Sequence, residues 1–344
     1  MPKPSSPHTL LPIFCLLASL LAPPVLASGE VNIYSARKED LIKPLLDDFS
    51  KQTGIKVNLV TGKEEALLQR LESEGMNTPA DLLLTSDAGR LTAAQKTGVL
   101  QAVKSASLDQ NIPAVYRDPD GYWYGLSVRA RPILYAKGRV KPEQLSTYED
   151  LAAPQWKGKL CLRSSDSVYN QSLVAGMIAH HGEAKTEVWA KGLVANFARP
   201  PKGGDRDQIK AVAAGECDLT LANTYYLGGM VSASDEAEQQ AAAQIAVFWP
   251  DAKTTGVHVN VSGAGVTAHA RQRDNAIQLL EFLASDAAQR WYAEVNNEYP
   301  VNPAIPPSAV LKSWGEFKAD TLNVARLGQL NAVAVKLMDR AGWK

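Results

Sequence analysis

The sequence carries no excess of charge: 36 Lys and Arg stand against 36 Asp and Glu in 344 residues. A partner held by bulk electrostatics, nucleic acid or an anionic membrane surface, is therefore not expected, and the ligand must be recognised locally. Catalytic motifs are equally scarce. The five histidines are His8, His180, His181, His258 and His269, and none belongs to a His-Glu-x-x-His helix. There is no Gly-x-Ser-x-Gly elbow, no P-loop and no dinucleotide fingerprint. His180-His181 precedes Gly182 at the end of a helical pattern, where a cation complements the helix dipole. The chain therefore reads as a binding protein and not as an enzyme. At 45% hydrophobic and 21% charged, it has the composition of a globular protein large enough for two compact domains, which excludes disorder, collagen and coiled coil.

Long apolar runs are also few. Lys3 is followed by the run Leu10 to Ala22 and then by Val25-Leu26-Ala27, a small-residue exit that predicts a cleavable secretory signal over residues 1–27 and hence export. The run is short of the ~20 residues of a spanning helix, and Pro23-Pro24 breaks it. Cys15 lies inside this run after Phe14, so a lipoprotein anchor is not expected. Of three cysteines, Cys161 and Cys217 then remain. In an exported chain an even pair favours a disulfide, the alternative being two separate core thiols. A metal site on them is poor, since no His or third Cys stands at ligand spacing.

Periodicity predicts strand Val31–Ser35, a helix with Leu41, Leu45, Leu46 and Phe49 on one face that stops at Gly54, strand Lys56–Val60, helix Glu64–Glu74 and strand Asp81–Thr85. This β-α-β-α-β order opens a doubly wound sheet. Trp123–Tyr135 reads as extended chain leading into a second domain. There the same grammar recurs: strands Lys159–Leu162 and Leu219–Ala222, helices Val168–His181, Glu183–Ala198 and Gln208–Ala214, then strands Ile245–Phe248 and Val257–Val261. Helices Asp274–Leu283, Ala288–Val295 and Leu327–Met338 follow. The expectation is an α/β chain of two lobes around a cleft.

Three tyrosines stand where helices begin. Ser164-Ser165-Asp166-Ser167 supplies cap-type residues before Tyr169, placing it in a first turn where N–H groups favour negative charge. Asn223-Thr224-Tyr225-Tyr226 leaves a strand for a new segment, and a strand-to-helix turn there could aim both phenols at one point. A phenol of pKa ~10 ionises near neutral pH only against a strong cation, such as a hard trivalent metal. Taken alone, the residues fit three amphipathic core or rim tyrosines as well.

The wider wording adds to this. Asn32-Ile33-Tyr34-Ser35-Ala36-Arg37, Pro79-Ala80-Asp81-Leu82-Leu83-Leu84-Thr85, Val128-Arg129-Ala130-Arg131, Lys202-Gly203-Gly204-Asp205-Arg206-Asp207-Gln208, Asn223-Thr224-Tyr225-Tyr226 and Asn260-Val261-Ser262-Gly263 resemble, in order, segments of periplasmic ferric-ion-binding proteins of ABC transporters. The resemblance implies a type II periplasmic-binding-protein fold, two α/β lobes joined by extended crossover strands. Its N-terminal lobe would be 28–127 with 252–300, and its C-terminal lobe 128–251 with 301–344. It further implies a monomer that grips Fe³⁺ between the lobes and delivers it to an inner-membrane permease with its ATPase. Tyr169, Tyr225 and Tyr226 look like the phenolate ligands.

The first lobe departs from the family pattern. Lys38-Glu39 stands where many relatives have His or His-Tyr, and Ser86 where some have Glu, so Glu39 is a possible extra ligand only. This looks like the subgroup that completes the shell with a synergistic anion, (bi)carbonate. Fe³⁺ with three phenolates is neutral, so a carbonate dianion requires nearby cations. Arg37 and Arg129 are the candidates, with Arg131 the competitor for the second role; Ser167 and Asn223 flank the tyrosines and could donate to the anion. The alternative is a binder of the same fold for a small organic anion, held by arginines with the tyrosines merely packed against it.

Overall fold

The computed structural model describes residue 1 and residues 29–344. The predicted signal peptide, its cleavage point after Ala27 and Cys15 lie outside the described residues. The chain opens as β1 (Gly29–Ser35), α1 (Lys43–Thr53), β2 (Ile55–Thr61), α2 (Glu64–Glu74) and β3 (Leu82–Thr85), with β1 parallel to both β2 and β3. Helix α1 buries Leu45, Leu46 and Phe49 on one stripe, and Gly54 ends it in the left-handed region (φ 76°), returning its N–H to Ser50 O. That is the predicted β-α-β-α-β unit. It is followed by α3 (Ala88–Lys96), whose cap Asp87 accepts from Gly89 N, and α4 (Ala106–Asn111). Sequence reading missed α3 because its buried face is Ala88, Gly89, Leu91, Thr92 and Ala94, which shows little apolar period.

The extended stretch becomes β4 (Tyr124–Ala130) and β5 (Ile133–Ala136). These belong to different sheets, so residues 131–132 form a crossover. In the second lobe come α5 (Val168–His181), α6 (Glu183–Ala195), α7 (Asp205–Ala214), β6 (Leu219–Leu221), α8 (Thr224–Val231), α9 (Glu236–Ala243) and β7 (Ile245–Phe248). The chain returns through β8 (Val259–Val266), α10 (Arg273–Leu283), α11 (Asp286–Asn296) and β9 (Tyr299–Pro300), and ends with α12 (Ala309–Lys312) and α13 (Ala325–Arg340). The large sheet runs β2-β1-β3-β8-β4-β9 and the small one β6-β5-β7. The architecture is the expected two-lobed type II arrangement.

Two predicted strands differ. Lys159–Leu162 is no strand: Leu160 alone makes single parallel bridges to Leu219 and Phe197, after which the chain leaves the sheet toward α5. The strand read as ending at Val261 runs on to Val266. Its Gly263 lets the backbones close, since a side chain there would meet Tyr124 O at 2.5 Å. Cys161 and Cys217 form the expected disulfide across a separation of 56 residues, a loop length worth ~4 kcal/mol in the chain-entropy account.

Helix α13 packs on α5 in one lobe and α3 in the other, with Gly328 set against Thr92. Around this seam two ionisable groups are buried with opposite consequences. Asp87 accepts from Gly89 N, Ser172 Oγ and Asn260 Nδ2. Burial, then the like charge of Glu64, pushes its carboxyl from 3.8 up to about 6. Burial pushes His258 from 6.5 down to about 4. On acidification the native state takes a proton at Asp87 before the unfolded chain does, adding stability between pH 6 and 4. The unfolded chain takes one at His258 first, removing stability between pH 6.5 and 4. Each effect is about 3 kcal/mol in full and they oppose. His258→Gln should therefore gain stability relative to wild type by about 3 kcal/mol as the pH falls through that window. Urea titrations at several pH values test this, and parallel stability curves would show that His258 titrates alike in both states.

Candidate metal centre

Ser167 and Asn223 are extended residues that cap α5 and α8, and neither side chain is spent on a capping bond. Tyr169 thus enters the first turn of α5, and Tyr225-Tyr226 the first turn of α8. Because Tyr225 and Tyr226 lie on a helix, they are not sent to opposite faces as they would be on a strand. The Tyr169 and Tyr225 hydroxyls stand 3.3 Å apart, and the Tyr225 and Tyr226 rings lie 4.1 Å centre to centre. All three line one cleft of 690 Å³, which Lys38, Ser86 and Ser262 line from the first lobe.

Burial first, and then the neighbouring phenols, hold Tyr225 well above the ordinary tyrosine range, and burial does the same to Tyr226. Both therefore carry their protons until a cation displaces them. Among the described residues no cluster of three His, Cys, Asp or Glu side chains could hold a metal, and the three phenols share the lining of the cleft with Asp40, Asp205, Asp207 and Glu298.

Arg129 is 1% exposed, and among the described residues its Nε and Nη2 have no partner. Its guanidinium lies 5.5 Å from the Tyr169 ring centre and 5.9 Å from that of Tyr225. Burial works against its charge, but Tyr169, Tyr225, Glu298 and Asp87 hold it firmly protonated. Ser167 Oγ is likewise buried without a partner.

The other predicted residues fare differently. Arg37 lines the cleft but is engaged within its own lobe, donating to Ser262 Oγ at 2.7 Å and Glu298 Oε2 at 3.0 Å, with only Nε left over. Glu39 is exposed on a short turn, and its neighbours Lys38 and Asp40 line the cleft in its place. Ser86 binds Glu64 through both N–H and hydroxyl. Arg131 does not line the cleft: it donates to Asn170, Asn223 and Asp205. Asn223 therefore has its oxygen committed to Arg131.

Arg163 and Asp205 were not singled out from the sequence. Asp205 opens α7 after the Lys-Gly-Gly turn, is 1% exposed, and accepts from Arg163 at 2.5 Å as well as from Arg131. The Lys-Gly-Gly-Asp wording was the one available signal, and what it encodes is a buried carboxylate that lines the same cleft as Tyr169.

Residues 45–319 match the family model described as bacterial extracellular solute-binding protein. The chain is 50% identical to Iron uptake protein A1 of Synechocystis sp. over 315 residues, 92% of this chain and 88% of that one. A Trichodesmium protein solved in complex with iron and citrate ligands superposes with a TM-score of 0.89 at 51% identity, covering 92% of this chain and all of its own. The ferric iron-binding protein A of Mannheimia haemolytica, solved in an open conformation, gives a TM-score of 0.86 at 42% identity, over 92% of this chain and 99% of that one.

Proposed function

The chain belongs to the bacterial extracellular solute-binding proteins, among the periplasmic ferric-iron binders of ABC iron uptake, and on that premise we propose how it holds its cargo. Tyr169, Tyr225 and Tyr226 bind Fe³⁺ as phenolates, and Arg129 holds a synergistic carbonate or bicarbonate beside them. Ser167 adds a hydroxyl and Asn223 its amide N–H₂. The convergence of the phenols carries the reading: two oxygens about 2 Å from a small hard ion and at right angles to each other are about 2.8 Å apart. The 3.3 Å between Tyr169 and Tyr225 needs only a small inward shift to meet this.

Charge supports the same assignment. Three phenolates neutralise Fe³⁺, so a dianion added to the shell needs a cation and hydrogen-bond donors. Arg129 offers two buried nitrogens, Nε and Nη2, that no other described residue uses, and the first turns of α5 and α8 add their dipoles. Arg37, fixed by Glu298 and Ser262, would meet the same anion from the first lobe through Nε when the lobes close. The loaded, closed monomer would then dock on the permease and its ATPase, after export directed by residues 1–27.

Adding ferric iron with bicarbonate to the mature protein should produce a red to orange phenolate-to-iron charge-transfer band that saturates at one iron per chain. A protein that stays colourless while binding citrate or another carboxylate would instead be the organic-anion binder that free arginine donors also allow.

A further inference from the structure

Arg131 lies two residues beyond Arg129, so a single extended segment delivers both guanidiniums, yet their surroundings are opposite. Arg129 meets the cleft with unused donors, whereas Arg131, 1% exposed, is turned into the protein. Its Nη2 donates to Asn170 Oδ1 at 2.6 Å, and its Nη1 to Asn223 Oδ1 and Asp205 Oδ1, each at 3.2 Å. Among the described residues only its Nε is left without a partner.

Each acceptor stands at the start of a different helix. Asn170 follows Tyr169 in α5, Asn223 caps α8 two residues ahead of Tyr225, and Asp205 is the first residue of α7. We propose that Arg131 is a positioning residue for the iron site, its buried fork locking the first turns of α5, α7 and α8 together and so fixing where the three phenol oxygens stand. This rests on the tyrosine reading above.

The second carboxylate oxygen of Asp205 takes Arg163, so the lock extends to a further cation, and the Arg131 and Arg163 guanidiniums lie 6.0 and 5.7 Å from the Tyr169 ring centre. The hub itself is anchored at the crossover: Arg131 N donates to His258 O at 3.0 Å, and Arg131 O accepts from the Tyr148 hydroxyl at 2.7 Å. The Cys161–Cys217 disulfide ties the same two segments six residues ahead of Ser167 and Asn223. It leaves the turns themselves free to shift, and the arginine fork holds them. A lysine keeps the charge but cannot present two nitrogens in a fixed plane to three acceptors.

The test compares Arg131→Lys, Tyr225→Phe and Ile245→Val with wild type. Circular dichroism and melting report folding, the ferric charge-transfer band reports the geometry of the phenolates, and iron titrations are run with and without bicarbonate. Folded Arg131→Lys should show a shifted band and ferric affinity reduced about tenfold or more, with and without bicarbonate, as loss of charge-assisted hydrogen bonds implies. Ile245→Val, a core loss in the same lobe, should lower the melting temperature and leave band and affinity alone. If Arg131→Lys does not fold, Asp205→Asn, which keeps the shape of the acceptor and removes its charge, is read in the same way. An unchanged band and affinity in the folded variant overturns the proposal, and so does an effect that vanishes without bicarbonate, which would make Arg131 an anion ligand. If Tyr225→Phe is also without effect, the tyrosine reading itself has failed; a bleached Tyr225→Phe beside an unaltered Arg131→Lys removes only the hub.

Discussion

Tyr225→Phe should lower ferric affinity more than about 100-fold and bleach or shift the visible band, because groups acting only through a ligand already cost 10–100-fold. Tyr225 is the phenol placed to act with both others: its hydroxyl stands 3.3 Å from that of Tyr169, and its ring lies against that of Tyr226. On the proposed ligation, removing one oxygen would leave the iron with an uncompensated positive charge in a buried place. The phenylalanine ring keeps the 4.1 Å packing on Tyr226, so the apo protein should melt close to wild type. Since burial keeps this phenol protonated well above the ordinary range, each iron bound must expel its proton, and affinity should fall as the pH is lowered. Tyr34→Phe is the matching control. Burial, then its hydrogen bond to Glu74, pushes that phenol up to about 12, yet it lies outside the cleft and its loss should leave iron binding unchanged. Equal iron affinity in Tyr225→Phe and wild type would take Tyr225 out of the shell.

The contrast between Tyr34 and Tyr225 also shows what can be read from a sequence. Helices α1 and α2 were legible because Leu45, Leu46, Phe49, Leu67 and Leu71 each face one core at helical spacing. Helix α3 was not, because its buried side is made of small residues that fit close against α13. The tyrosines could be named from cap residues and a family resemblance, but their convergence depends on α5 and α8 starting side by side. Arginine roles were least legible of all. Arg37 finds its carboxylate 261 positions away in Glu298, and Arg131 finds its acceptors 39, 74 and 92 positions away. Which arginine stays free for a ligand is settled by where those acceptors fold, and local wording carries none of that.

Arg129→Gln should cost iron binding far more than it costs the fold. In the ligand-free protein Arg129 is buried with Nε and Nη2 unpartnered among the described residues, but Tyr169, Tyr225, Glu298 and Asp87 outweigh the cost of burying its charge and keep it protonated. Replacing it with a neutral side chain breaks no hydrogen bond among the described residues but takes a cation away from Glu298 and Asp87, so the melting temperature of the apo protein should fall modestly. Iron affinity in bicarbonate should fall about 10- to 100-fold, the worth of hydrogen bonds to a charged group, and adding bicarbonate should no longer strengthen binding. Arg37→Gln should cost the fold more. It leaves Glu298 buried without its cation, a loss of about 3–5 kcal/mol, while most of the anion dependence survives because Arg129 is intact. Melting curves of the apo variants, together with iron titrations with and without bicarbonate, separate the two arginines. Should Arg129→Gln keep the wild-type response to bicarbonate while Arg37→Gln loses it, the anion sits on Arg37, and the free donors of Arg129 serve the phenolates directly.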